Sequence, residues 1–152
     1  MRRVVVTAYA SEYRRPLHPL HAIFLSFPFP LFLGGLIADW AYSSTFEIQW
    51  INFAAWLNAG GLLVGAFALL WALIDMFRGP VRWSGRPFIY AALLLLTWVL
   101  GFINALVHGK DAYATMPAGL YLSLIVTVLA FIAAWIGFSG IGAGTHRVEE
   151  LK

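Results

Sequence analysis

Asp39, Asn104 and His108 are polar residues that lie at, or within a turn of, the same predicted end of their helices. An Asp beside a His would hold the ring in one tautomer and keep its protonation within the physiological switching range. Asn52, at the start of another apolar run, completes this first candidate group. His18, His21, Asp75 and Arg78 form a second group at the opposite end. Asp75 and Arg78 are three apart, the spacing of an ion pair at a helix end. His18 and His21 have the same spacing and could share a helical face. The chain has no cysteine, which excludes disulfides, thiolate nucleophiles, iron–sulfur clusters and thiolate zinc sites. No Ser-His or paired-carboxylate motif stands out, so no catalytic residue and no metal set is assigned.

The elements that must position these groups are apolar. Hydrophobic residues make up 61% of the 152, charged residues 11%, and mean hydropathy is +0.79. Soluble domains are about 45–50% apolar and about 25% charged. The bilayer is therefore the expected solvent. A spanning helix needs about 20 mostly apolar residues, and four windows qualify: residues 22–42, 50–77, 87–107 and 117–142. They are too long for barrel strands and lack strict alternation. The expectation is an all-α bundle of four transmembrane helices spanning 22–142, with tails at 1–21 and 143–152.

Basic residues between the windows alternate. Arg2, Arg3, Arg14 and Arg15 precede the first, none lies in 43–49, Arg78, Arg82 and Arg86 follow the second, Lys110 alone follows the third, and Arg147 and Lys152 follow the fourth. By the positive-inside rule both termini and the middle connection are cytoplasmic, placing Asp39 and His108 at the outer end. Trp40, Tyr42 and Trp50 then belong to the outer interface and Trp83 to the inner one. The opening MRRVVVTAYASE has an Arg pair and a small-x-small AYA. Its apolar stretch is only about seven residues, at the bottom of the signal-peptide range, so a short cytoplasmic tail is expected. No nucleic-acid-binding motif is present.

The helix faces are patterned for close packing. Gly119, Ser123, Thr127, Ala130, Ala134 and Gly137 recur on one face of the fourth span, and Asn58, Gly61 and Gly65 on one face of the second. In the third, Thr97, Gly101, Asn104 and His108 share a face; in the first, Gly35 and Asp39 do. Pro28 and Pro30 remove the usual partners of the Phe24 and Ser26 carbonyls and predict a bend.

The stretch RPLHPLHAIFLSFPFPLFLGGLIAD resembles the opening of the domain-of-unknown-function 2231 family of bacterial membrane proteins. That family's pattern of a His-Pro pair, a second His, a Pro in the first span and an Asp at its outer end falls here on His18, Pro19, His21, Pro28 and Asp39. A His-Gly pair ending the third span matches His108 and Gly109, and the resemblance runs from about Pro16 to Phe138. The family's Gly-rich approach to its His-Gly pair is replaced here by GFINALVHGKDAYATMP, which marks a distinct branch. The resemblance implies an inner-membrane location. For that branch it also implies a context of periplasmic sugar or aldehyde dehydrogenases of the quinone-cofactor type.

Three functions compete. The first is a non-enzymatic membrane subunit or anchor for a periplasmic oxidoreductase, contacting quinone, with the lipid bilayer and a dehydrogenase as partners. The second is a small transporter or channel, for which four helices are few, so a homo-oligomer is needed. The third is a b-type cytochrome, since histidines are the usual membrane haem ligands. His21 and His108 are expected on opposite sides, nearly a hydrocarbon thickness (roughly 30 Å) apart, which opposes a shared iron.

Overall fold

The computed structural model describes residues 17–78, 85–110 and 112–139. The tails, Trp83, and the side chains of Arg78, Arg82 and Arg86 lie outside the described residues. The elements are α1 (Pro19–Ser26), α2 (Pro28–Thr45), α3 (Ile48–Arg78), α4 (Gly85–His108), α5 (Ala112–Thr115) and α6 (Ala118–Phe138). No strand occurs among the described residues. Four helical segments are long and apolar enough to cross a bilayer: α1 with α2, α3, α4 and α6. They are called the first to fourth spans below.

Each boundary has a local cause. Pro19 opens α1 at a position where its missing N–H costs nothing. His18 caps that helix by accepting the Leu20 N–H on Nδ1 at 3.3 Å. The prolines predicted to bend the first span do interrupt it, at Phe27 between α1 and α2. Phe46 ends α2 in the left-handed region (φ 55°), with its N–H on the Tyr42 carbonyl. Pro117 stands just before α6 as its N-cap residue.

The spans form a ring. The first packs on the second and fourth, and the third packs on the same two. The first and third, which run parallel, thus meet only across the centre of the bundle. Close approach depends on glycine at several points. A Cβ on Gly61 would lie 2.7 Å from the Phe32 ring, and one on Gly137 would collide with Leu25. The second and third spans are also tied by Asn58 Nδ2 donating to the Gly101 carbonyl (3.2 Å) and Trp98 Nε1 to the Leu62 carbonyl (3.1 Å).

The core has an apolar cluster of Leu25, Leu69, Tyr90, Leu94 and neighbours, and a second of Phe32, Val126 and Ala130. Large apolar side chains such as Trp40, Trp56, Leu63 and Leu106 point outward, as expected where lipid is the solvent. Two expectations require correction. Tyr42 is not at the lipid interface but fully buried, because the helical turn that buries Asp39 buries Tyr42 three residues later. On α6 the small-residue face drifts, so that Ala133 rather than Ala134 is buried.

Candidate functional site

Asp39 near the end of α2, Asn104 and His108 on α4, and Ser123 on α6 meet inside the bundle. The face spacing of four residues puts His108 one turn beyond Asn104, so the ring folds back over its own helix. His108 Nδ1 donates to the Asn104 carbonyl at 2.9 Å, while Nε2 lies 2.8 Å from Asp39 Oδ1. Ser123 Oγ donates to Asp39 Oδ2 and accepts from Asn104 Nδ2 at 2.9 Å. The bonds close a ring: Asn104 side chain to Ser123, to Asp39, to His108, and back to the Asn104 backbone. The His108 and Asp39 side chains are 1% and 0% exposed.

The proton content follows from the partners. Both ring nitrogens of His108 face oxygen atoms, and a neutral imidazole can donate from only one of them. The Asn104 carbonyl is an acceptor only, so Nδ1 carries a hydrogen. One further proton must then lie between Nε2 and Oδ1, making the pair either imidazolium with carboxylate or imidazole with carboxylic acid. Either form is neutral overall, which suits burial among helices. In this arrangement His108 has no free ring nitrogen with which to attack or ligate.

α6 reaches the ring because residue 119 is glycine: a Cβ there would meet Thr115 Cγ2 at 2.7 Å and His108 Cε1 at 3.2 Å. Thr115, fully buried on α5, donates to the Val107 carbonyl at 3.3 Å. Asn52 does not join the group. It is exposed on α3, because it is off the face that carries buried Ile51, Ala54 and Asn58. Among the described residues, Tyr42 Oη and Asn104 Oδ1 are buried without a hydrogen-bond partner.

The second group separates into a buried and an exposed part. His21 is buried, with Nε2 2.9 Å from Tyr90 Oη and no partner for Nδ1 among the described residues. His18 is exposed and stacks on Trp71 at 4.7 Å. Asp75 is exposed, and its pairing with Arg78 lies outside the described residues. His21 and His108 stand at opposite ends of the bundle, since their partners Tyr90 and Asp39 do. The 18 residues of α4 from Tyr90 to His108 span about 27 Å.

Ser123 and Tyr90 are absent from the groups read off the sequence. A signal for Tyr90 was present: His21 to Asp39 and Tyr90 to His108 are both 18 residues, about five full turns, so each pair of positions returns to one face. Ser123 looked like one more small residue on a packing face, and only the approach of α6 makes it a partner for Asp39.

A lateral cleft of about 420 Å³ opens between the α1–α2 junction and the end of α6, lined by Phe29, Phe131, Trp135 and Phe138 with Ser26 and Ser139. The family model described as a predicted membrane protein (DUF2231) matches residues 17–143. Searches of curated proteins and of solved structures gave no match.

Proposed function

Because the chain belongs to the DUF2231 family of predicted membrane proteins, we propose that it is a non-enzymatic subunit of the bacterial inner membrane that anchors a periplasmic oxidoreductase and contacts quinone. The observation that carries this reading is the closed ring through Asp39, His108, Asn104 and Ser123. Apart from Asn104 Oδ1, its side-chain acceptors are engaged within the ring, tying three spans together at one end. This suits a rigid platform better than a reactive centre, which needs a free nucleophile or base. Trp40, Phe46, Ile48 and Trp50 are exposed around the adjoining α2–α3 connection, and aromatic residues of this kind are enriched at binding surfaces.

The positive-inside count supports placing that end in the periplasm. The oxidoreductase itself is supported by the context that the resemblance implies. Quinone contact is supported by the lateral cleft, whose size and aromatic lining suit a flat ring entering from lipid. The bundle centre favours an anchor over a pore, since Leu25, Leu94, Phe32 and Val126 fill it.

The test is purification in mild detergent, with bound proteins identified and lipids extracted. A periplasmic oxidoreductase should co-purify in fixed ratio and be released when Trp40 and Trp50 are both changed to Ala, and quinone should be enriched over bulk lipid. Recovery of the intact bundle without an oxidoreductase would remove the anchor reading. Quinone at bulk-lipid level would remove the quinone contact alone.

A further inference from the structure

The first and third spans carry inward faces in register. His21, Leu25, Pro28, Phe32, Gly35 and Asp39 on the first are matched 69 positions later by Tyr90, Leu94, Thr97, Gly101, Asn104 and His108 on the third, all directed inward. The second and fourth spans match likewise. Ala54, Asn58, Gly61, Gly65, Ala68 and Ala72 are buried on α3. The positions 65 further on, Gly119, Ser123, Val126, Ala130, Ala133 and Gly137, are buried on α6. Helical periodicity alone would let two inward faces be aligned at several offsets. Contacts single out these. His21 meets Tyr90 and Asp39 meets His108, each its own counterpart. A Cβ on Gly101 would lie 3.4 Å from the ring of its counterpart Phe32, and Leu25 and Leu94 share one core cluster. A small void at the bundle centre is also lined by counterparts, Pro28 with Thr97 and Gly65 with Ala130.

Residues that touch their own counterparts lie on a twofold axis. The first and third spans run parallel, so this axis runs along the bundle, as in membrane proteins built of parallel repeats. The packing order agrees. First on second is equivalent to third on fourth, and second on third to fourth on first. On such an axis two identical hairpins would set Asp against Asp or His against His. Two buried carboxyl groups resist ionising together. Two histidines each bonded through Nδ1–H to their own helix would present two bare Nε2 atoms to each other. An Asp on one hairpin and a His on the other remove both conflicts.

We propose that residues 19–78 and 85–138 are two copies of one helical hairpin docked about this axis, and that the Asp39–His108 contact makes the inner face of each hairpin selective for an unlike partner. This stands apart from the anchor reading, which concerns the outer surface of the bundle. It gives Asp39 and His108 a role in choosing which hairpins pair, beyond holding the chosen pair together.

The test exchanges residues across the axis in the full chain. Asp39→His with His108→Asp keeps the pair but turns it about the axis. Gly119 leaves room beside His108, and its counterpart is Ala54, so every variant at this end also carries Ala54→Gly. Each single exchange should lower the thermal unfolding midpoint in detergent, and the double exchange should recover most of that loss. The fourth-span partner of Asp39 is Ser123, whose counterpart is Asn58. Asn58 Nδ2 has a second hydrogen for the relocated carboxylate, beyond the one given to Gly101. Asn58→Ala should therefore lower the midpoint more in the double-exchange chain than in the Ala54→Gly parent. His21→Tyr with Tyr90→His makes the same test at the other end, in an Ala72→Gly background because Gly137, the counterpart of Ala72, packs on Tyr90. A double exchange at either end that fails to fold, or unfolds no later than its single variants, overturns the proposal. So does an Asn58→Ala loss no larger in the exchanged chain than in its parent, or single exchanges as stable as their parents.

Discussion

At Asp39 a carboxyl group sits fully buried in a membrane span, and it is tolerable only because His108 and Ser123 occupy both its oxygens. Removing one partner strands the other, which for buried pairs costs about 3–5 kcal/mol, whereas replacing both by apolar groups is often near neutral. Asp39→Leu and His108→Leu should each lower the unfolding midpoint in detergent, and the double variant should recover most of the loss. Additive losses would show that the two side chains are energetically independent. Ser123→Ala should cost less, nearer the ~0.6 kcal/mol typical of interhelical hydrogen bonds, because Asp39 keeps its bond to His108. At this scale the identities of Asp39, Asn104 and His108 were legible as ionisable or polar residues in apolar runs. Asn52 has the same local signature but is exposed, because burial depends on helix phase against neighbours, which residue type does not carry.

Along α6 the small residues Gly119, Ser123, Thr127 and Ala130 are buried against the other spans. Enlarging such a position forces helices apart at about 1–3 kcal/mol. Ala130→Leu should therefore lower thermal stability in detergent more than Leu129→Ala, whose side chain is only half-buried. Equal effects would mean that α6 packs on another face. Gly61→Ala on α3 should also destabilise, because the new methyl meets the Phe32 ring at 2.7 Å. The helices and the proline interruption were readable from apolar run length and from Pro28 and Pro30. The swap of Ala133 for Ala134 was not, since a period of 3.6 drifts against spacings of three and four, and only the neighbours decide which residue it selects.

For the molecule as a whole, the ring of spans brings the first and third together only across the centre, where buried polar pairs mark both ends. Reporter fusions at Ser44 and Lys110 should read periplasmic and one at Gly85 cytoplasmic, from the alternation of basic residues. A periplasmic reading at Gly85 would invert the topology and put the Asp39–His108 pair at the cytoplasmic end. The two buried pairs themselves would remain, because they depend on contacts within the bundle and not on which compartment each end faces.

Length, composition and the four apolar runs sufficed for an all-helical membrane bundle, because the bilayer leaves a chain of such runs no other way to satisfy its backbone. The same pattern, read with the His-Pro pair, Pro28, Asp39 and His108-Gly109, sufficed for the family. The closure of the polar ring was decided only in three dimensions. Ser123 comes from a different span than Asp39 and His108, and its approach depends on Gly119 leaving room beside His108. Hydrophobic periodicity reports which face of a helix is buried but not which helix covers it. The pairing of His21 with Tyr90 and of Asp39 with His108 was therefore set by the diagonal meeting of the first and third spans.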